Sequence, residues 1–212
     1  KIIGVCRQLP ESPVPGCQYS VIGQYTEAEI SACLKAAVGD LHCRFTAITT
    51  GVLHDSQAEL QPEKRLEDIS MAGLQRLVEV NSFMPMLWVK HLLPYMKHQS
   101  RADIVCLSAR VGSIEDNKLG GWYGYRCSKA ALNMLIKTAA VEYRRRASNV
   151  VLSCYHPGTV DSELSRPFQA NVPKSKLFKP EFSVACLLEA LDGCVAEQSP
   201  YFLDWQGKKI PW

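Results

Sequence analysis

The chain has 212 residues, 47% of them apolar, with 24 basic and 21 acidic residues for a net charge of +3. That is enough apolar material for one sizeable core, and the near balance of charge excludes electrostatic binding of nucleic acid. No stretch reaches the ~18 apolar residues of a membrane span, and no charged-then-apolar leader is read at the start. The 9 cysteines show neither C-x-x-C spacing nor an accompanying His pattern, which argues against a disulfide framework and against a metal site, and points to a reducing, cytoplasmic setting.

In chain order, Lys1 to Cys6 is a β-branched apolar run of strand type, ended by Arg7. Residues 8–18 carry three prolines and a glycine and form a loop. Tyr19 to Ile22 fits a short edge strand. Thr26 and Glu29 make a capping box for a helix that Gly39 ends. Arg44 to Thr50 reads as a buried strand, with Gly51 at the turn where an open parallel sheet places its ligands. From Pro62 to Met96 the pattern is helical, interrupted by Pro85, which has no N–H for the carbonyl of Asn81. That carbonyl is then open to water or another donor, although a plain proline kink gives the same pattern. Ala102 to Ser108 is a central strand, apolar nearly throughout.

Gly120 to Tyr143 is the longest helical pattern, with Arg144, Arg145 and Arg146 placed to complement its dipole. Tyr125 and Lys129 lie one turn apart on one face. An ammonium beside a phenol favours the phenolate and lowers its reference pKa of about 10 toward the range of proton exchange. Ordinary amphipathic helices carry the same spacing by chance, so the pair alone is a weak signal. Asn149 to Tyr155 is another buried strand, followed by His156, Pro157 and Gly158. Residues 160–179 have the composition of a mobile lid. Pro180 opens a last helix, Gly193 stops it, and SPYFLDW closes with a strand.

Strands alternating with helices are the pattern of a Rossmann-type doubly wound parallel sheet, an α/β fold of three layers. On this order the chain resembles the short-chain dehydrogenases/reductases. Thr50-Gly51 resembles the end of the family's N-N-A-G turn, Asn81 its helix asparagine, Tyr125 and Lys129 its Y-x-x-x-K, and Pro157-Gly158 with Ser162 its P-G motif. SARVGSI, GGWYGYRCSKAALN and FLDWQGKKIPW are similar to the C-factor-like subgroup, related to sniffer-type carbonyl reductases. The resemblance implies a single domain over residues 1–212 that transfers hydride between NADP, or NAD, and a carbonyl or alcohol. It implies catalytic Tyr125, Lys129, Asn81 and Ser108, and cofactor contacts from Arg7, Thr50, Gly51, Pro157, Gly158, Thr159, Val160 and Ser162. Arg7 after a strand suits a 2′-phosphate, or is a solvated surface arginine. A homodimer or homotetramer through the Phe83 to Tyr95 helix is implied as well. The other class of reading is a signalling or interaction protein on the same scaffold.

Two departures stand out. Aligning the family's I-S-S-x-x-G run on Gly112 puts Ala109 at the catalytic serine, with Ser108 one residue early and so on the other strand face, and Ser113 a further candidate. A lost oxyanion donor typically costs about 2.7–4 kcal/mol of barrier. The glycine-rich T-G-x-x-x-G-x-G turn and its strand, about 30 residues on the scale of such a unit, are missing before KIIGVC. The absent strand belongs between those starting at Lys1 and Arg44, so the chain is expected to be an N-terminally incomplete portion of a longer polypeptide. His54 after the Gly51 turn is placed to approach a substrate but reads first as a structural histidine, as does His156, and Trp122 and Tyr123 either wall a substrate cleft or pack at a helix start.

Overall fold

In the computed structural model, which describes residues 1–56, 58 and 60–212, strands and helices alternate. The order is β1 (Ile2–Cys6), β2 (Cys17–Val21), α1 (Glu27–Ala37), β3 (Phe45–Ile48), α2 (Met71–Val78), α3 (Met84–Met96), β4 (Ala102–Leu107) and α4 (Tyr123–Arg146). It continues with β5 (Val150–His156), β6 (Thr159–Val160), β7 (Leu177–Phe178), α5 (Pro180–Asp192) and β8 (Tyr201–Asp204). The main sheet is parallel, in the order β3-β4-β5-β8, while β1 and β2 form a separate parallel pair. Alternate residues serve opposite faces. Ile48, Ile104, Leu152 and Cys154 pack with α1, α3 and α4, and Val105, Val151 and Tyr155 pack with Leu187 and Leu191 of α5. Helices on both faces of a parallel sheet make this a doubly wound α/β fold.

The capping box forms: Thr26 Oγ1 accepts from Glu29 N, and the Glu29 carboxylate accepts from Thr26 N. The long helix is shorter than the sequence pattern implies. Asp68 accepts from the main-chain N–H groups of Lys64 and Arg65 (3.1 and 3.2 Å), a local competitor to helix, and α2 starts only after Ser70, whose Oγ accepts from Gly73 N. Gly120, Gly121 and Trp122 all have positive φ (63°, 66°, 53°), so α4 begins at Tyr123 and not at Gly120.

The strand read as buried is open on one side. Phe45 is 45% exposed and only Ile48 of β3 is buried. Asp103 N donates to Arg44 O, and with the parallel register Phe45↔Asp103 this turns the main-chain groups of Arg44, Thr46 and Ile48 toward β4. Those of Phe45 and Ala47 then face away from it. By the same alternation, Ile22 N bonding to Cys6 O leaves Ile3 and Val5 facing away from β2. Among the described residues, no ladder joins β1 to β3.

Candidate active site

The site grows from close approach of α4 to the carboxyl end of β4. A 3₁₀ turn over Arg110–Gly112 follows β4, and a Cβ at Gly112 would stand 2.7 Å from Lys129 Cβ and 2.8 Å from Lys129 C. Only glycine allows that contact. Lys129 reaches back along the strand end and donates from Nζ to Leu107 O at 2.8 Å. One turn earlier, Tyr125 stands with its ring centroid 5.7 Å from that Nζ. The two side chains therefore share one face, as the spacing requires.

Asn81 is brought to the same place by a π turn over Glu79–Phe83, in which Met84 N bonds to Glu79 O, five residues back. The Asn81 side chain is fully engaged. Its Oδ1 accepts from Val52 N (2.7 Å), and its Nδ2 donates to Val52 O (2.8 Å) and Ser128 Oγ (2.9 Å). Ser128 Oγ donates in turn to Tyr125 O, and Ser82 Oγ donates to Ser128 O. This network locks the loop after β3, the α2–α3 junction and the first turns of α4 into one body. Gly51 lies on it: a Cβ there would be 3.5 Å from Asn81 Oδ1 and 3.6 Å from Lys129 Nζ. Glu63, buried at 4% exposure, accepts from Gly124 N with both carboxylate oxygens (3.3 and 3.2 Å) and so caps α4 from a distant loop.

The pair is closed off from solvent, Tyr125 at 7% and Lys129 at 3% exposure. Tyr125 belongs to an apolar cluster with Leu53, Leu60, Leu77 and Ala109, against which Trp122, Leu164 and Phe168 pack. Burial pushes the Tyr125 phenol up, and it brings Lys129 down to about 8. The expected lowering of the phenol is therefore absent in this closed arrangement. Desolvation disfavours both charged forms and outweighs their mutual attraction.

The other expected residues are distributed unevenly. Ser108 does not join the pair. It is buried, its Oγ donates to Asn133 Oδ1 at 2.7 Å, and Asn133 lies two turns beyond Tyr125, about 12 Å along the helix. Ala109 occupies the side of the strand end that packs with Tyr125. Ser113 Oγ accepts from Asp116 N and is likewise occupied. Arg7 is exposed at the end of β1. Thr50 and Gly51 lead into the network, and Pro157 O accepts from Ser183 Oγ. Gly158 (φ +75°) is covered by Phe178, whose ring would lie 2.5 Å from a Cβ there. Thr159 and Val160 pair with Leu177 and Phe178, and Ser162 is exposed at the base of the lid. His54 Nε2 lies 3.1 Å from Glu163 O in the lid. His156 is brought down to about 4 by burial, with Nδ1 unpartnered. Sequence reasoning missed Ser82, Ser128 and Glu63. Ser128 follows Tyr125 by three positions on the helix, the one signal that could have placed it.

The residues fit a nicotinamide ribose at one end only. Lys129 has three donors, one of them spent on Leu107 O, and polar atoms converge on Gly51, where the missing side chain leaves room for a ligand. Nothing described supplies a glycine-rich cradle for a pyrophosphate.

Comparison with known proteins assigns the chain to a family. A family model described as short chain dehydrogenase matches residues 27–173. The C-signal protein of Myxococcus xanthus is 33% identical over 147 residues, covering 69% of this chain and 83% of that protein. The 1-hydroxy-2-glutathionyl-2-methyl-3-butene dehydrogenase of Rhodococcus sp. strain AD45 is 30% identical over 139 residues, covering 66% of this chain but only 58% of the enzyme. Among solved structures, an NADPH-bound carbonyl reductase from chicken fatty liver superimposes with a TM-score of 0.81 at 22% identity, covering 99% of this chain and 87% of that one. The Sniffer carbonyl reductase of Drosophila melanogaster gives 0.76 at 20% identity, covering 92% and 78%. With the matched span running from α1 through the Tyr125–Lys129 helix into the lid, the chain belongs to the short-chain dehydrogenase family.

Proposed function

We propose that the protein is an NADP-dependent oxidoreductase, with NAD as the other candidate, that interconverts a carbonyl compound and its alcohol. The observation that carries this reading is the convergence of Tyr125, Lys129, Asn81 and Gly51 at the carboxyl ends of β3 and β4. A nicotinamide cofactor, when bound, supplies or takes the hydride. Tyr125 donates its phenolic proton to the carbonyl oxygen, and Lys129 would hold the ribose hydroxyls with the donors it does not spend on Leu107 O. Asn81 acts through its main chain. Its side chain is held by Val52 and Ser128, so the relay water falls to its carbonyl, which lies in the π turn over Glu79–Phe83 where the regular α ladder is broken. Burial keeps the phenol protonated, the form that can donate, while its raised pKa makes it a weak acid until ligand entry changes its surroundings.

The test is oxidation of NADPH with a panel of ketones and aldehydes, comparing the protein with Tyr125→Phe. A loss of at least about 10²-fold is expected on removal of the general acid, and equal rates would sink the mechanism. The second reading, a signalling or interaction protein on this scaffold, is favoured by Ala109 beside Tyr125 and by Ser108 being tied to Asn133. It predicts no turnover in either variant.

Two further parts belong to this reading. Exposed Phe83, Met134 and Val141 on the π turn and α4 serve self-association, which sedimentation equilibrium measures. The outward main-chain groups of Ile3, Val5, Phe45 and Ala47 serve a strand from polypeptide beyond these 212 residues, which completes the sheet between β1 and β3. Among the described residues no helix is long and apolar enough to cross a membrane. With the described cysteines free, a reducing cytoplasmic setting suits the chain.

A further inference from the structure

The segment between β6 and β7 closes on the site in a specific way. Its ends are held by the two residue pairs Thr159↔Leu177 and Val160↔Phe178, and inside it Gln169 Nε2 donates to Asp161 Oδ1 and Ser165 Oγ donates to Val160 O. These bonds tie the segment into one unit anchored on that short ladder. Apart from Val160 and Phe178 at its own ends, the segment meets a hydrogen-bond partner in His54, whose Nε2 lies 3.1 Å from Glu163 O.

Phe168 is the residue this unit presents to the site. Its ring centroid lies 5.3 Å from Trp122 and 5.8 Å from His54, and Trp122 in turn meets Tyr125 edge-on at 6.1 Å. A phenyl ring thus occupies a slot walled by an indole and an imidazole, one ring away from the candidate acid. The surroundings are apolar: Val52, Leu53, Val111 and Leu164 complete the cluster. The charged side chains next to this cluster each hold a main-chain partner, Lys129 at Leu107 O and Glu63 at Gly124 N. Arg166 and Glu163 pair with each other on the exposed side of the lid.

From this the geometry points to a self-occupied substrate subsite. Phe168 holds the place of the aromatic ring of an uncharged aryl ketone or aldehyde, which displaces it as the lid opens and packs between Trp122 and His54 in the same tilted and edge-on contacts. An ionised substituent is disfavoured, because Val52, Leu53, Val111 and Leu164 around the slot would strip its water without replacing it. The carbonyl of such a ligand, attached directly to the ring, falls on the Tyr125 side of Trp122. This assignment rests on the oxidoreductase reading for its chemistry, but not for its binding.

The experiment uses the full chain with acetophenone, its ionised analogue 4-acetylbenzoate and the ring-free ketone 2-butanone as probes. Binding is followed by quenching of tryptophan fluorescence, with Trp122→Phe identifying the signal that belongs to the slot. Phe168→Ala removes the internal competitor, so acetophenone binding should tighten by about tenfold, as expected when a competing closed state is abolished. The two other probes should stay at least about tenfold weaker. Circular dichroism establishes that the variant is folded, and Phe168→Leu, which keeps bulk without a stacking ring, should fall in between. Weaker acetophenone binding in Phe168→Ala, or equal binding of 4-acetylbenzoate, overturns the subsite. Acetophenone binding as described without NADPH oxidation leaves the subsite standing and removes the oxidoreductase reading. Turnover of acetophenone with no response to Phe168→Ala does the reverse.

Discussion

Gly112→Ala tests whether the seating of α4 on the β4 turn sets the site. The added Cβ would stand 2.7 Å from Lys129 Cβ, 2.8 Å from its carbonyl carbon and 3.1 Å from its oxygen. Comfortable contact between carbons is about 3.5–4.0 Å, so the helix and turn must separate by about 1 Å. A flexible side chain could swing away, but these obstacles are the root and main chain of a buried helical residue. The turn is itself pinned by Gly112 N donating to Ala109 O and Asn133 Nδ2 donating to Gly112 O. Overpacking of this kind costs about 1–3 kcal/mol of stability. Because the displaced residue is Lys129, a shift of about 1 Å is expected to lower kcat/KM by about 10²-fold. The assay pairs urea unfolding with NADPH oxidation at a temperature where the variant is fully folded. Gly193→Ala is the control: nothing lies within 4 Å of a Cβ there and φ is −82°, so no loss is expected. Wild-type kcat/KM in a folded Gly112→Ala would refute the claim that this contact positions Lys129.

Burial of Lys129 makes stability depend on alkaline pH. Its pKa falls from 10.5 to about 8 on folding, so between those values the unfolded chain binds more protons and stability rises with pH, by at most about 3 kcal/mol. Above pH 10 the raised Tyr125 reverses the trend, since the unfolded phenol ionises first. On the acid side His156, depressed from 6.5 to about 4, makes stability fall as pH drops through that window, and urea midpoints across pH 4 to 11 measure both limbs. Ala109→Ser should restore an oxyanion donor and raise kcat by up to about 10²–10³-fold, while Ser108→Ala should lower stability by about 1–3 kcal/mol and leave kcat near its starting value. The reverse pattern in that pair of variants would assign the donor to Ser108. Hydrogen exchange should be fast at the Phe45 and Ala47 amides and slow at Thr46 and Ile48, a contrast that disappears if the free edge of β3 is covered in solution.

What the sequence made legible is what local pattern encodes. Thr26 with Glu29, the four-residue step from Tyr125 to Lys129 and the apolar runs of β4 and β5 each carry their geometry within a few residues, and all formed as read. What stayed hidden depends on partners distant in the chain. Arg44 to Thr50 has the composition of a buried strand, but burial of a strand needs neighbours on both edges and a cover on each face, and Phe45 lacks both. The start of α2 was misplaced because Asp68 captures the N–H groups of Lys64 and Arg65, a side-chain event that apolar periodicity does not register. Glu63 capping Gly124 joins loop to helix across the fold, so no spacing rule could reveal it. The serine alignment, by contrast, was decidable in principle: a one-residue offset on a strand changes the face, and Ser108 went to Asn133 while Ala109 went to Tyr125.

The titration of the pair carries the main physical consequence. Attraction between an ammonium and a phenolate scales inversely with the local dielectric constant, and so does the penalty for stripping water from each ion. Leu164, Phe168 and Trp122 cover Tyr125, and the penalty wins: the phenol is held neutral and the amine moves toward neutrality too. In this closed state the Tyr125 phenol therefore keeps its proton, and Lys129 loses its own more readily than a free amine does. Solvent admitted past Leu164 and Phe168 would raise the Lys129 pKa back toward that of a free amine, so a variant that loosens their packing should alter the pH profile of turnover as well as the affinity for substrate.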